Sequence, residues 1–570
     1  MKNEEVASLL NEIADILEIQ GETFKPRAYR RAAENIENLG EAIEDVHGRG
    51  ELKKIPGIGE GIAKKIGEFL DTGGLGYLDG LKEEVPAGVL DMLGIQGLGP
   101  KKVALLFKEL NITTINELKK ACGAHELAGI KGLGAKTQEN ILKGIALLES
   151  TKGRFLLDHA RRNGEAIKHY LEGLRTVKTI ELAGSLRRSK ETIGDIDILV
   201  VSDGPKEVME AFTSYEDVSD VIAKGETKSS IRLRDGMQAD VRVVPQDAFG
   251  AAMQYFTGSK AHNVKVRKVA ISKGLKINEY GVFPKDSEEK IAGKDEEEVY
   301  EALGLAYIPP ELREDRGEVE LAQKGELPAL VTRVDIKGDL HVHSDWSDGV
   351  VSISDLVAEA KKMDYKYLAV CDHSQAMKFA GGLSKDRLLQ QVEEIGNINK
   401  VEKKFLVFAG IECNINTNGS LDIRPDVEDE VDFITGAIHS NFNMSEKDMT
   451  RRIVSALGNE RMKVLAHPTG RLLGRREAYK VNMDKIIDAA LENQVFLEIN
   501  SFPDRLDLND TNIKHAKERG ARFAISTDTH RKEHLAFLEF GVATARRGWL
   551  EKKDVVNTLP TKELVKLLKG

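Results

Sequence analysis

The sequence predicts a multidomain protein with a helical N-terminal region, a strand-rich middle and a C-terminal α/β barrel or related sheet. Two observations indicate this arrangement. The chain has 570 residues, more than a single hydrophobic core usually serves. Its pattern also changes along the chain. Glycine-punctuated helical stretches come first, strands begin near residue 176, and strands alternate with helical stretches from near residue 336.

Composition restricts the class of protein. At 41% hydrophobic and 31% charged residues the chain has an ordinary globular composition. It contains no apolar run long enough for a membrane span, and its acidic, helix-like start argues against a signal peptide. The cysteines Cys122, Cys371 and Cys413 form no CxxC pair, which favours a reduced, cytoplasmic protein.

Three glycine-containing segments repeat near the N-terminus. Each has the frame Ile-x-Gly-Ile/Leu-Gly and leads into a helix-like stretch. Such turns place backbone amides at a helix N-terminus, where they can hold a phosphate. The pattern is typical of helix-hairpin-helix motifs, which bind the DNA backbone without reading bases. The glycines expected to contact DNA are Gly57, Gly59, Gly97, Gly99, Gly132 and Gly134.

The net charge of −10 does not give the basic footprint of a nucleic-acid-binding protein. Contacts with DNA must therefore come from local features such as these turns and small clusters of Lys and Arg.

Three aspartates in the middle of the chain predict a two-metal site. Asp195 and Asp197 are two residues apart on a predicted strand, so both side chains lie on one face. Asp240 lies on a second short strand. Three such carboxylates can hold two divalent ions about 3.5 to 4 Å apart, as in-line phosphoryl displacement requires. Upstream, the hydroxyl and guanidinium groups of Gly184-Ser-Leu-Arg-Arg188 suit a triphosphate.

The segments GSLRRSKETIGDIDILV, ADVRVV and YFTGS resemble the palm and thumb of the beta-like, family X DNA polymerases. The resemblance extends through KKIPGIGEGIAKKIGEFLDTG and covers residues 1 to 316. It implies that Asp195, Asp197 and Asp240 bind Mg or Mn, and that Asp240 activates the primer 3′-hydroxyl. It also implies nucleotide-binding roles for Ser185, Arg188, Gly194, Tyr255, Phe256, Gly258, Asn263 and Arg267.

Two positions depart from the pattern of that family. Ile193 stands where beta-type polymerases have a serine on the triphosphate. Gly61 replaces a lysine of the lyase pocket, in which Lys65 matches the Schiff-base lysine and Lys25 and Tyr29 match neighbouring positions. Lyase activity therefore stays open, because a lysine at this position can also simply bind a 5′-phosphate.

A second metal site is predicted in the C-terminal part of the chain. His, Asp and Glu residues follow one predicted strand after another, and active sites of α/β barrels lie at strand ends. His-x-His and Asp-x-His on strands place both side chains on one face. Imidazole and carboxylate ligands without thiolate favour Zn, Mn or Fe. The candidate ligands are His341, His343, Asp348, His373, Glu412, His439, His467, Asp528 and His530.

Two further carboxylates lie beside these ligands. Asp345 is the rival of Asp348, although the Ser-Asp-Gly context favours Asp348. Asp372, beside His373, is a candidate for an outer carboxylate that orients an imidazole.

This C-terminal pattern resembles the PHP (polymerase and histidinol phosphatase) family over residues 336–570. The resemblance implies a distorted β/α barrel whose nine ligands hold three ions, Zn and/or Mn, for phosphoester hydrolysis. A PHP domain behind a family X polymerase is the arrangement of bacterial and archaeal members of that family. There it implies a 3′-5′ exonuclease, often with apurinic-site endonuclease and 3′-phosphatase activities.

Together the two resemblances imply five segments. They are a lyase-like helical domain with a helix-hairpin-helix (1–80), a helix-hairpin-helix subdomain (81–152), a nucleotidyltransferase palm (153–246), a thumb (247–316) and a PHP domain (336–570). The charged stretch ELREDRGEVELAQKGELP (311–328) has few apolar residues and predicts a linker over 317–335.

The sequence thus predicts a monomeric, gap-filling repair polymerase with its own 3′-end nuclease. Its partners would be dNTPs and gapped or nicked DNA, especially with a 5′-phosphate, and it would work in the cytoplasm at the nucleoid without a membrane. One alternative is a DNA end-binding phosphoesterase with weak or degenerate polymerase activity, which Ile193 favours. Another is a small-molecule phosphatase, against which the three hairpins argue.

Overall fold

The computed structural model describes residues 2–37, 39, 42–95, 98–130, 132–151, 153–377 and 380–569. The chain forms two compact units. One comprises residues 1–152 with the short segment 474–477, and the other comprises 153–473 and 478–570. In the described ranges no helix has both the length and the apolar character needed to cross a membrane.

The regular secondary structure described for residues 2–151 is helical. Its first helix buries Val6, Leu10, Ile13 and Leu17, which recur every three or four residues and so form one apolar face. Gly21 ends this helix in the left-handed conformation. The helices are α1 (Asn3–Gln20), α2 (Lys25–Glu37), α3 (Ile43–Gly48), α4 (Glu60–Thr72), α5 (Gly76–Glu83), α6 (Ala87–Asp91), α7 (Pro100–Leu110), α8 (Ile115–Gly123) and α9 (Ala135–Thr151).

The second unit begins with the predicted palm, a five-stranded sheet of order β2-β4-β7-β6-β5 beside the short β1–β3 pair. Helices α10 and α12 cover one face of this sheet with apolar side chains. The elements are β1 (Phe155–Leu156), α10 (Leu157–Glu172), β2 (Val177–Leu182), α11 (Gly184–Arg187), β3 (Thr192–Ile193), β4 (Asp195–Ser202), α12 (Pro205–Thr213), β5 (Val218–Lys224), β6 (Lys228–Leu233) and β7 (Gln238–Val243).

The predicted thumb follows as a helical layer with one small hairpin. Its core contains the buried Val266, Val299, Tyr300 and Leu312. Its elements are α13 (Phe249–Thr257), α14 (Lys260–Ser272), β8 (Leu275–Asn278), β9 (Gly281–Pro284), α15 (Glu296–Ala302) and α16 (Glu318–Lys324).

The segment 317–335, predicted as a linker, is instead packed onto the thumb. Its helix α16 buries Val319 and Ala322 in the thumb core. Glu318 is fully buried, where it accepts hydrogen bonds from His262 Nδ1 at 2.8 Å and from the backbone amides of Asp315 and Arg316. The charged composition suggested an exposed connection, but these partners satisfy the buried carboxylate.

The C-terminal part is a seven-stranded, all-parallel sheet in sequential order. A bridge between Val342 and Thr529 joins its first and last strands, so the sheet nearly closes into the predicted distorted barrel. The elements are β10 (Gly338–Val342), α17 (Ile353–Lys362), β11 (Tyr367–Val370), α18 (Lys385–Val401), β12 (Leu406–Asn414), α19 (Pro425–Glu428), β13 (Phe433–Ala437), α20 (Glu446–Leu457), β14 (Met462–Leu465), α21 (Met483–Glu492), β15 (Phe496–Asn500), α22 (Asp510–Glu518), β16 (Phe523–Ser526), α23 (Leu538–Arg547) and α24 (Thr561–Lys569).

Barrel residues also complete the cores of the other regions of this unit. Leu506 and Phe540 are buried in the palm core, and Trp549 is buried in the thumb core. Palm, thumb and barrel therefore share apolar packing, which agrees with their forming one compact unit.

Glu318→Ala should lower the midpoint of thermal unfolding, because it leaves two backbone amides and His262 without their buried acceptor, at a cost of about 1–3 kcal/mol. The matched control is Glu320→Ala on the same helix, whose carboxylate forms an exposed ion pair with Lys265. Equal midpoints for the two variants would contradict the packed role of this segment.

Candidate functional site

The three palm aspartates meet at one edge of the sheet. Strands β4 and β7 pair in parallel, which sets Asp197 directly opposite Asp240, with Asp195 two residues earlier on β4. One oxygen from each carboxylate lies within 4.8 Å of the others. Ile196 and Ile198 point to the opposite face and are buried in the palm core. The structure thus brings together the three acids predicted from the sequence.

The electrostatics of these carboxylates suit a divalent cation. Burial, together with Asp195 and Asp240, raises the pKa of Asp197 to about 7. Burial and the nearby Asp240 also raise the pKa of Asp195. Mutually repelling, partly buried carboxylates are a donor set that a hard divalent ion neutralises. The residues present therefore fit a magnesium or manganese site.

Gly184 places the start of helix α11 against this carboxylate cluster. Its φ is +62°, and a Cβ at this position would lie 2.2 Å from Asp197 Oδ2. Only glycine permits both this conformation and this approach. Ser185 is therefore held beside the aspartates, as a contact to a metal-bound triphosphate would require.

The predicted nucleotide-binding residues surround the end of helix α13. Arg188 donates from Nη1 to the carbonyl of Thr257, and Asn263 Nδ2 donates to the carbonyl of Tyr255 at 2.7 Å. The rings of Tyr255 and Phe256 meet edge to face at 5.0 Å. The other predicted positions lie in short connections or on an exposed helix face. Gly194 lies between β3 and β4, Gly258 follows α13, and Arg267 is exposed on α14.

The departure at Ile193 has a structural counterpart. Ile193 is fully buried in the palm core on the short strand β3. A side chain that packs into this core offers no hydrogen bond to a phosphate, so the triphosphate contacts depend on the remaining donors.

The barrel gathers its predicted ligands at the carboxyl ends of its strands in three overlapping groups. All members of a group offer a ligand atom within 4.8 Å of one another. The groups are His343, Asp348, His373 and His530; His341, His343 and Asp528; and His373, Glu412 and His439. His467 joins the last group, since its Nε2 lies 3.2 Å from Glu412 Oε1. All nine predicted residues are therefore in one place.

Several of these side chains have buried polar atoms without a hydrogen-bond partner among the described residues. They are Nδ1 of His343, His439 and His467. Burial, with His530 and His373, lowers the pKa of His343 to about 4, so its imidazole is neutral near pH 7. The neutral imidazole of His343 and the ring nitrogens that lack a hydrogen-bond partner fit a transition-metal ion.

Asp348 and Asp345 differ in their surroundings. The Asp348 carboxylate lies 3.2 Å from His373 Nε2 and 3.4 Å from His530 Nε2. Asp345 is exposed and belongs to none of the metal-ligand groups found in the described part of the chain. The geometry favours Asp348, the residue preferred from the sequence.

Asp372 does not orient an imidazole, as its position beside His373 had suggested. Its buried carboxylate accepts hydrogen bonds from the backbone amide of Ser344, at 2.9 Å, and from the hydroxyls of Ser344 and Ser347. It therefore anchors the loop that carries Asp348.

Glu498, which the sequence analysis missed, is the carboxylate that orients an imidazole. Its Oε1 lies 2.8 Å from His341 Nδ1, which directs His341 Nε2 to the metal group. Its Oε2 accepts from the backbone amide of His467 at 2.7 Å. A lone acid within the buried strand VFLEIN was the signal that could have revealed it.

In the first unit, Tyr77 connects the residues of the predicted lyase pocket. Lys65 Nζ lies 4.2 Å from the centre of the Tyr77 ring. Tyr29 is buried, and burial together with the neighbouring Tyr77 raises its pKa to about 12. Lys25 pairs with Glu22 at 2.9 Å. Lys65 thus makes a cation–π contact with the Tyr77 ring.

The three repeated turns have the same hydrogen bonds. In each turn, the backbone N–H of the residue between the two glycines donates to the carbonyl oxygen of the isoleucine that begins the turn. The N···O distances are 3.0 to 3.1 Å. Gly59 and Gly99 are the N-caps of α4 and α7, and Gly134 precedes α9 in the same way. A Cβ at these three glycines would meet no atom within 4 Å, so their open side can receive an outside molecule.

The first glycines of the turns are constrained by conformation instead. Gly57 and Gly132 have φ of +79° and +97°, which disfavours other residues. Gly97, also predicted to contact DNA, lies outside the described residues.

Four family models match the chain in succession. They are a helix-hairpin-helix domain at residues 1–75, a SAM-like helix-hairpin-helix tandem at 89–146, a DNA polymerase beta thumb at 252–314 and a PHP domain at 339–502. A DNA polymerase/3′-5′ exonuclease PolX of Bacillus subtilis is 37% identical over the full length of both chains. The chain belongs to the PHP-containing family X DNA polymerases.

Two other relatives match parts of this family X chain. DNA polymerase lambda of Rattus norvegicus is 24% identical over 55% of this chain and 56% of its own. A probable phosphatase of Clostridium acetobutylicum is 27% identical over 34% of this chain and 78% of its own.

Asp348→Asn should reduce the metal content of the purified protein, because the group of His343, His373 and His530 loses its only charged ligand oxygen. Elemental analysis after dialysis measures this directly. Asp345→Asn, three residues away on the same loop, is the control and should retain the full content. The opposite result would make Asp345 the ligand.

Proposed function

We propose that this chain is a DNA polymerase that fills short gaps and carries its own 3′-5′ exonuclease. The observation that carries the proposal is the cluster of Asp195, Asp197 and Asp240 on paired parallel strands. The Bacillus subtilis relative, which matches this chain over its full length, is named as both a polymerase and a 3′-5′ exonuclease. The separate His-rich group of the barrel supplies the second activity.

In the polymerase reaction the three aspartates would hold two Mg²⁺ or Mn²⁺ ions, which neutralise the triphosphate and activate the 3′-hydroxyl. Asp240 lies opposite Asp197 and would activate the primer 3′-hydroxyl. Ser185 and Arg188 hold the triphosphate, Tyr255 and Phe256 pack against the sugar, and Gly194 and Gly258 let the nucleotide approach the backbone. Asn263 reaches the base edge, and Arg267 lies near the template.

In the nuclease reaction the barrel would hold up to three Zn²⁺ or Mn²⁺ ions, which activate water and polarise the phosphate. Glu498 fixes the orientation of His341, and Asp372 fixes the loop of Asp348. The same groups suit hydrolysis of the phosphodiester beside an apurinic site or of a 3′-phosphate monoester.

We propose that the DNA substrate is gapped or nicked and that the protein acts as a monomer. The open glycine turns would bind phosphates through backbone amides, without reading bases. This mode of binding explains how a chain of net charge −10 can bind DNA.

Asp195→Ala combined with Asp197→Ala should abolish primer extension on a one-nucleotide gap and leave Mn²⁺-dependent 3′ degradation intact, because the barrel ligands are untouched. Asp203→Ala, which removes an exposed acid just after the same strand, is the control. Loss of both activities in a folded double variant would show that the two-site assignment is wrong.

The same assays separate the alternatives. A wild-type chain that shows no extension with any divalent metal would be a DNA end-binding phosphoesterase, as buried Ile193 would favour. Faster hydrolysis of histidinol phosphate than of 3′-labelled DNA would favour a small-molecule phosphatase, the kind of protein that one relative is named as.

We propose that Lys65 binds the 5′-phosphate of the gap. Lys65→Ala should reduce the preference for a 5′-phosphorylated gap about tenfold, the loss expected for one charge-assisted contact. Lys64→Ala, its exposed neighbour on α4, is the control. Borohydride trapping of the wild-type chain on an abasic gap would instead identify Lys65 as a lyase nucleophile.

A further inference from the structure

Arg188, the arginine assigned to the triphosphate, is held on two sides. Its Nη1 donates to the carbonyl of Thr257, and its Nε donates to Glu314 Oε1 at 3.1 Å. A guanidinium has five N–H groups, so these contacts leave the Nη2 edge able to bind a phosphate oxygen. The direction of that edge depends on where Glu314 lies.

Glu314 is itself positioned by the barrel. Arg547, the last residue of helix α23, donates from Nη1 to Glu314 Oε1 at 3.1 Å. The same Nη1 donates to the backbone carbonyl of Arg188 at 2.7 Å. One barrel side chain therefore contacts both the main chain of Arg188 and the carboxylate that holds its guanidinium.

Arg547 is in turn fixed from the other side. Its Nη2 donates to Asp510 Oδ2 at 2.6 Å, at the start of helix α22. Arg316 Nη2 donates to the same oxygen at 2.9 Å. Arg547 is 3% exposed, so its guanidinium is locked by hydrogen bonds in a site shielded from water, where charge-assisted contacts are strong.

The charge balance favours a positioning role for Glu314 over competition with a triphosphate. Three cations, Arg188, Lys190 and Arg547, surround this one carboxylate. Burial alone would raise the pKa of Glu314, but Arg547, Arg188 and Lys190 hold it below its usual value, so the carboxylate stays ionised. The cluster keeps an excess of positive charge toward an incoming triphosphate.

We propose that the barrel sets the geometry of the polymerase's triphosphate site, with Arg547 and Glu314 as positioning residues for Arg188. This inference rests on the proposed polymerase function. It adds that the PHP barrel contributes to nucleotide binding in addition to its own hydrolytic chemistry.

The test is single-nucleotide gap filling by the full-length chain, with KM and kcat for the dNTP measured separately. Arg547→Met should raise the KM for dNTP about tenfold, which corresponds to about 1.4 kcal/mol, with a smaller change in kcat. Its affinity for gapped DNA and its 3′ degradation of single strands should stay at the wild-type level.

Arg546→Met is the matched control. Arg546 is the preceding residue of the same helix and also joins barrel to thumb, through Glu311 Oε1 at 2.6 Å, without contacting Arg188. It should leave the KM unchanged. If both variants raise the KM equally, or neither does, Arg547 only docks the barrel and the inference is wrong. A lower KM in Arg547→Met would make Glu314 a competitor of the triphosphate and would also overturn it.

Glu314→Gln provides a second test if Arg547→Met folds poorly. It keeps the side-chain volume and removes the charge that holds Arg188, so the KM for dNTP should again rise. An unchanged KM in a folded Glu314→Gln protein contradicts the inference. Failure of the wild-type chain to extend any primer would contradict the polymerase function itself, whereas normal extension with insensitive variants contradicts this inference alone.

Discussion

Parallel pairing of adjacent strands is the constraint on which both metal sites depend. In the palm, the parallel β4–β7 pair sets Asp197 opposite Asp240 without any loop having to bring them together. In the barrel, seven parallel strands end at the same rim, so candidate ligands far apart in sequence, such as His341 and Asp528, meet there. The palm carboxylates repel one another, and several barrel imidazoles have a ring nitrogen without a hydrogen-bond partner. Both are tolerated because the hydrogen-bonded strands behind these side chains hold them in position.

Much of both candidate sites could be predicted because side chains recur at regular intervals along strands and helices. The face shared by Asp195 and Asp197, the nine barrel ligands and the three glycine turns all depend on short-range patterns that a sequence displays directly. Glu498 escaped notice because its role depends on His341, a residue 157 positions earlier in the chain. The segment 317–335 was misjudged as a linker because burial of Glu318 requires His262, 56 residues earlier in the chain.

The contacts between barrel and polymerase regions show why such long-range pairs matter. Arg547 contacts Glu314, which lies 233 residues earlier in the sequence. Neither local segment contains a pattern that predicts this pair. Buried ion pairs add little net stability, since desolvation offsets attraction, but they specify one geometry well. A rigid geometry is what a triphosphate site needs, because small displacements of a positioning group slow phosphoryl transfer.

The burial of Leu506 and Phe540 in the palm core and of Trp549 in the thumb core has an evolutionary consequence. A gene that lost its C-terminal barrel would encode a polymerase with cavities in its core and newly exposed apolar surface. Each large side chain removed would lower the stability of the fold by several kcal/mol. Simple deletion of the barrel would therefore destabilise both the palm and the thumb. A shortened chain would have to fill these positions with apolar side chains of its own.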